Sequence, residues 1–155
     1  MGIEVERKFL VVTEQWRAGA ERTLFRQGYL STDRERTVRV RLAGDAAWLT
    51  IKGVTEGVSR REFEYAVPPA DAEILLDELC LRPLIEKYRY RVQHAGLTWE
   101  VDEFLGDNAG LIIAEVELDH PDQAIELPSW VGKEVSDDAR YFNANLIAHP
   151  YCRWR

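Results

Sequence analysis

The sequence predicts a mainly β protein of the α+β class, built on eight antiparallel strands with a few outer helices. Eight segments alternate apolar and polar residues with a period of two, as expected for strands with one buried face. Short links containing glycine or aspartate separate several of them, which favours antiparallel pairing. In nearly every segment the polar positions carry full charges. The predicted strands cover residues 3–11, 24–31, 37–43, 47–53, 60–67, 84–94, 97–105 and 111–119.

Length and composition favour one folded domain over residues 1–155. The 155 residues are 46% hydrophobic and 30% charged, which is typical of a globular protein rather than a disordered one. The formal net charge of −7 argues against general nucleic-acid binding. We expect a monomer or a homodimer that binds a small molecule.

The sequence also predicts a cytoplasmic protein without a membrane span. No apolar run approaches the ~18 residues that a spanning helix needs. Glu4 and Glu6 follow the first residue closely, so no signal peptide is visible. Cys80 and Cys152 lack the spacing of a metal site, and Cys80 is expected in the core because leucines surround it.

Helices are predicted at two places between and after the strands. Proline, early acidic residues and a leucine stripe at helical spacing predict a helix over residues 68–79. A second helix is expected from Ser136, as the N-cap, through residue 147. A short helix is also predicted over residues 13–19.

Apart from Lys8, the charged positions on one face of most strands have one sign. Acids occupy one face of the first, fifth, seventh and eighth strands, and bases occupy one face of the third, fourth and sixth. Lys8 shares the face of the acids on the first strand. The acids are Glu4, Glu6, Glu62, Glu64, Glu100, Asp102, Glu115 and Glu117, and the bases are Lys8, Arg39, Arg41, Lys52, Lys87, Arg89 and Arg91.

Two arrangements explain this pattern. The charged faces could lie in solvent on an ordinary antiparallel sheet. Alternatively, the strands could close into a barrel whose charged faces line a tunnel. Because burying so many charges without partners is costly, such a lumen requires water and a charged ligand. Bases suit phosphate oxygens and paired acids suit hard cations, so a polyphosphate with a divalent metal would use both.

The ordered motifs resemble those of the CYTH superfamily, the triphosphate tunnel metalloenzymes. The opening Glu4-x-Glu6-x-Lys8 is similar to the family signature, and the resemblance extends over most of the chain. Further matching motifs are Arg39-x-Arg41, Leu49-Thr50-Ile51-Lys52, Arg61-Glu62-Phe63-Glu64, Glu86-Lys87-Tyr88-Arg89, Glu100-x-Asp102, Glu115-x-Glu117 and Arg140-Tyr141-Phe142-Asn143.

The resemblance implies an eight-stranded tunnel that hydrolyses inorganic triphosphate to pyrophosphate and phosphate with Mg²⁺ or Mn²⁺. Triphosphate binding is expected at Lys8, Arg39, Arg41, Lys52, Lys87 and Arg89. Metal binding is expected at Glu4, Glu6, Glu62, Glu64, Glu115 and Glu117. The candidate catalytic residues are Lys8, Lys87 and Glu117. A class IV-type adenylate cyclase, a nucleoside or thiamine triphosphatase and a non-catalytic polyphosphate-binding protein remain as alternatives.

Overall fold

The computed structural model describes residues 2–154 and contains one antiparallel β-barrel. The strands are β1 (Ile3–Val11), β2 (Arg22–Ser31), β3 (Thr37–Ala43), β4 (Ala46–Lys52), β5 (Ser59–Val67), β6 (Ile85–His94), β7 (Leu97–Phe104), β8 (Ile112–Glu117) and β9 (Val131–Glu134). The first eight follow the order β5-β4-β3-β2-β6-β7-β8-β1, and β5 pairs with β1 to close the barrel. This confirms the predicted fold class.

The closing seam between β1 and β5 is short. It pairs only Ile3, Glu4 and Val5 with residues of β5, after which β1 continues beside β9. The ninth strand was not predicted, because Val131–Glu134 is only four residues long and shows little alternation. It extends the sheet beyond the closed barrel, next to the later half of β1.

The first predicted helix is confirmed, whereas the second is wrong in most of its length. Helix α1 (Pro69–Ile74) continues as a π-turn over Leu75–Leu79, within the predicted range 68–79. From residue 136 onward the chain forms a 3₁₀ turn at Ala139–Tyr141 and then the single-turn helix α2 (Asn145–Ala148). The 13–19 prediction corresponds to a 3₁₀ turn at Gln15–Arg17.

Tertiary hydrogen bonds explain the missing helix. The Ser136 hydroxyl accepts a hydrogen bond from the backbone N–H of Lys8 at 2.9 Å, so it anchors the segment to β1 instead of capping a helix. The carboxylate of Asp138 accepts from the backbone N–H of Arg140 and caps the 3₁₀ turn. Residue Phe142 is extended, which ends that turn before α2 begins.

The hydrophobic core lies mainly outside the barrel. The outer faces of β1, β7 and β8 pack an aromatic cluster in which the Phe9 and Trp99 ring centroids lie 5.6 Å apart and those of Trp99 and Trp130 lie 5.9 Å apart. Helix α1 packs against β3 and β4, and Ala72 of α1 and Leu76 of the following π-turn are buried in one cluster with residues of these two strands. Burial of each large apolar side chain contributes roughly 1.5–3 kcal/mol. Apolar packing outside leaves most of the lumen to polar groups.

A third cluster lies under the C-terminal segment and includes Ile85, Phe104 and Leu146. Cys80 is buried in the cluster beneath α1, as predicted. Among residues 2–154, no helix has the length and apolar character needed to cross a membrane.

Candidate active site

The barrel encloses a cavity of about 870 Å³. Its lining includes all twelve residues predicted for substrate or metal binding, so the charged strand faces do point inward. Because residues two apart on a strand share a face, five of the strands contribute two or three of these side chains each, and β4 contributes one. The twelve are Glu4, Glu6, Lys8, Arg39, Arg41, Lys52, Glu62, Glu64, Lys87, Arg89, Glu115 and Glu117.

Three carboxylates, Glu4, Glu6 and Glu117, form an acid trio on one wall. One oxygen from each lies within 4.8 Å of the others. The register of β1 against β8 produces this grouping, since Glu6 faces Glu117 across the two strands. The Glu117 side chain is open to the lumen, but desolvation by the surrounding protein and then the charges of Glu4 and Glu6 raise its pKa to about 7. Crowded carboxylate oxygens are suitable ligands for a hard divalent cation.

The other three predicted metal ligands contact basic side chains. Glu62 lies 3.4 Å from the Lys52 ammonium, and Glu115 lies 3.1 Å from the Arg89 guanidinium. Glu64 accepts a hydrogen bond from the Thr50 hydroxyl at 2.8 Å. The metal-binding role of these three remains a prediction.

Charged groups of opposite sign form a continuous network deep in the lumen. The Lys8 ammonium bonds to Glu6 at 3.0 Å and also to Glu115. Arg89 donates two hydrogen bonds to Asp102, at 2.7 and 2.9 Å. Lys87 lies 2.7 Å from the same carboxylate. Asp102 is therefore the counterion of two buried bases.

Lys87 has an unusual environment. Its residue exposure is 1%, and its ammonium donates a hydrogen bond to the amide oxygen of Asn143 at 2.8 Å. Burial lowers the pKa of Lys87 to about 8; Asp102 opposes this shift and Arg89 adds to it. A lysine with such a pKa exchanges protons near neutral pH more readily than an exposed one.

Arg39 and Arg41 are the least neutralised of the predicted phosphate ligands. They share a single carboxylate, Glu64, at 3.7 and 3.6 Å. Within the described chain, the buried Nε of each arginine lacks a hydrogen-bond acceptor. Burial, followed by the charges of Arg39 and Arg89, lowers the pKa of Arg41 to about 10. Both guanidinium groups therefore have spare capacity for an anion.

Sequence reasoning missed several lumen residues. Thr50 and Arg60 also line the cavity, and each lies two positions before a predicted site residue on its strand. Strict use of strand parity would have identified both. Asn143 also accepts a hydrogen bond from buried Gln27 at 2.7 Å. No periodic signal could place Asn143 in the site, because it reaches Lys87 from a non-strand segment.

This fold and site define a class of protein: a closed antiparallel tunnel with a basic wall and a separate trio of carboxylates in one lumen. The CYTH domain model matches residues 2–151. The chain belongs to the CYTH family, which confirms the resemblance inferred from its motifs.

Two curated relatives cover nearly the full chain. An inorganic triphosphatase of Acetivibrio thermocellus is 48% identical over 151 residues, covering 97% of this chain and 97% of that protein. An inorganic triphosphatase of Nitrosomonas europaea is 36% identical over 148 residues, covering 92% of this chain and 95% of that protein.

Solved structures have the same architecture. A crystal structure of an inorganic triphosphatase superimposes with a TM-score of 0.66 at 34% identity, covering 92% of this chain and 96% of that chain. A candidate adenylate cyclase from Bacillus halodurans has a TM-score of 0.62 at 15% identity, covering 79% of this chain and 84% of that chain. The latter supports the shared fold alone.

Proposed function

We propose that the protein is an inorganic triphosphatase that hydrolyses triphosphate to pyrophosphate and phosphate inside the tunnel. The main support is the pairing of under-neutralised arginines with a separate acid trio in one cavity. The 48% identity to an inorganic triphosphatase over 97% of both chains selects this activity among those that the fold can host. Mg²⁺ or Mn²⁺ is the proposed cofactor.

The acid trio has suitable ligands for such a cation. Glu4, Glu6 and Glu117 would hold it, since their carboxylate oxygens converge within 4.8 Å and hard cations prefer oxygen ligands. A bound divalent cation would neutralise phosphate charge and make a coordinated water more acidic. The catalytic role predicted for Glu117 is therefore assigned to cation binding.

The basic residues of the lumen would bind and orient the phosphates. Arg39 and Arg41 have free donors for phosphate oxygens, and their fixed positions require little rearrangement. In phosphoryl transfer, charge is spread over the oxygens of the transferred group, so preorganised cations stabilise the transition state. The proposed phosphate-binding set is Lys8, Arg39, Arg41, Lys52, Lys87 and Arg89.

Lys87 is the candidate proton acceptor for the attacking water. With a pKa of about 8, it has a substantial neutral fraction near neutral pH. Asp102 and Asn143 hold its amine at 2.7 and 2.8 Å, which fixes the position of the nitrogen. General-base catalysis by a positioned group typically contributes about 10²–10⁴-fold to the rate.

A substrate panel with Mg²⁺ and with Mn²⁺ tests the proposed activity. We expect phosphate release from triphosphate with a kcat/KM at least ~10-fold above that for ATP or thiamine triphosphate. Cyclic AMP formation from ATP would favour a cyclase instead. Binding by calorimetry without turnover after long incubation would identify a non-catalytic polyphosphate-binding protein.

A matched pair of variants tests the role of Lys87. Lys87→Met should lower kcat by at least ~10²-fold, because it removes both the proton acceptor and a phosphate contact. Lys133→Met removes the same charge from an exposed position on β9 and should leave kcat unchanged. Equal kcat values for the two variants would exclude Lys87 from the chemistry.

A further inference from the structure

Arg60 occupies a lumen position on β5 that none of the family motifs identified above contains. It shares the inward face of β5 with Glu62 and Glu64 and lies opposite Glu4 in the pairing of β1 with β5. Arg61, its neighbour, has the opposite parity and is exposed. The two adjacent arginines therefore point to the inside and the outside of the barrel.

The Arg60 guanidinium is held by a neutral group. Its Nε and Nη2 donate hydrogen bonds to the backbone carbonyl oxygen of Gly53, at 3.1 and 2.8 Å. By contrast, Lys8, Lys52, Lys87 and Arg89 each have a carboxylate within 3.0 Å. Across residues 2–154, no carboxylate lies within ion-pair distance of Arg60. Its positive charge is therefore positioned but not neutralised.

Arg60 lies at one end of the tunnel. It follows the β4–β5 loop, from which Val54, Thr55 and Val58 also line the cavity. Its partner Glu4 is four residues before Lys8 on β1, a distance of about 13 Å along a strand. Arg60 and Lys8 therefore start from different points along the tunnel, and a chain of phosphates is long enough to approach both.

We propose that Arg60 is an additional phosphate-binding residue that contacts the end of the polyphosphate nearest the β4–β5 loop and favours triphosphate over pyrophosphate. This inference rests on the proposed function. Gly53 orients the guanidinium, and the Nη1 group remains available to donate to phosphate oxygens. A shorter pyrophosphate bound at the other end would leave Arg60 without a ligand.

Steady-state kinetics of Arg60→Gln, Arg60→Lys and the matched control Arg61→Gln test this proposal. For Arg60→Gln we expect the KM for triphosphate to rise about tenfold, while kcat changes less than ~3-fold. Arg60→Lys should have a KM between those of the wild type and Arg60→Gln, since it keeps the charge without the planar donor pair. Arg61→Gln should match the wild type.

Inhibition by pyrophosphate separates substrate contact from a purely structural role. In Arg60→Gln the inhibition constant of pyrophosphate should change less than ~3-fold, because pyrophosphate would not reach Arg60. An equal rise in the triphosphate KM and the pyrophosphate inhibition constant would overturn the proposal, as would an unchanged KM. If Arg60→Gln fails to fold, the same comparison with Arg60→Lys decides the question, with a smaller expected change.

The same experiments keep the two proposals distinct. Absence of triphosphate turnover by the wild type would refute the proposed function. In that case direct calorimetry of triphosphate binding to wild type and Arg60→Gln still tests the contact, and equal affinities would refute it.

Discussion

Replacement of Asp102 by asparagine removes the carboxylate that two buried bases, Lys87 and Arg89, share. Asp102 is 1% exposed, receives hydrogen bonds from Arg89 at 2.7 and 2.9 Å, and lies 2.7 Å from Lys87. Although burial opposes the shift, Arg89 and then Lys87 hold the pKa of Asp102 below its ordinary value. The substitution keeps the shape of the side chain and removes its charge.

The expected loss of stability is about 3 kcal/mol, because removing one partner of a buried ion pair costs roughly 3–5 kcal/mol. We expect the lower end of this range because Lys87, whose pKa is already about 8, can lose its proton and so relieve its repulsion with Arg89. For a domain of this length each kcal/mol lowers Tm by about 2–4 °C, so a decrease of roughly 6–12 °C is expected.

Urea unfolding and calorimetry at pH 7, without ligand, provide the measurement. Glu100→Gln is the control: this residue lies on the same strand and face, is more exposed, and contacts Arg89 at 3.3 Å. Glu100→Gln should lose less than ~1 kcal/mol of unfolding free energy. An Asp102→Asn loss below ~1 kcal/mol, or equal to that of the control, would refute the reasoning.

The stability of Asp102→Asn should also depend on pH. Without Asp102, the folded-state pKa of Lys87 should fall below its wild-type value of about 8, while that of the unfolded chain stays near 10.5. Between these values the unfolded chain binds more protons, so stability rises with pH. Wild-type Lys87 also becomes neutral above about pH 8, so Asp102→Asn should recover part of its loss as pH rises toward about 8 and little more beyond that value. A loss that is constant as pH rises toward about 8 would contradict the assignment of the shift to Lys87.

Three other predictions concern ligand binding and catalysis. Glu117→Gln should stabilise the ligand-free protein by ~1 kcal/mol or less, because the side chain is exposed. It should also abolish the Mg²⁺-induced Tm shift in scanning fluorimetry. The exposed control Glu73→Gln should change neither the stability nor the Tm shift, and a Tm shift retained by Glu117→Gln would exclude Glu117 from the cation site. Arg41→Gln should raise the KM for triphosphate by about 10–100-fold, because it removes a cation that only Glu64 partly neutralises among residues 2–154. A change below ~3-fold in steady-state assays would contradict phosphate binding by Arg41. As the proton acceptor, Lys87 must be neutral in the reacting complex, so kcat/KM for triphosphate should rise with pH up to about 8 and level off above it in steady-state assays. The same pH profile in Lys87→Met would exclude Lys87 as the titrating group.

Strand alternation was sufficient to predict the barrel and most of its lumen. Two-residue periodicity is a local property, and in β1 it places Glu4, Glu6 and Lys8 on one face whatever the strand pairs with. The same rule would have placed Arg60 and Thr50 inside had it been applied to the whole of β5 and β4. The helix prediction failed after residue 135, because the Ser136 hydroxyl accepts a hydrogen bond from the Lys8 backbone N–H instead of capping a helix.

The sequence by itself determined which side chains share a strand face, and therefore that bases and acids meet within one tunnel. Only the tertiary structure decided how they are matched across strands. Register brings Glu117 to Glu4 and Glu6, whereas Glu115, two residues away, pairs with Arg89 instead. The packing of the C-terminal segment also brings Asn143 to Lys87 from outside the barrel strands. The physical reason is that alternation depends on neighbours along one chain segment, whereas pairing depends on contacts between residues distant in sequence.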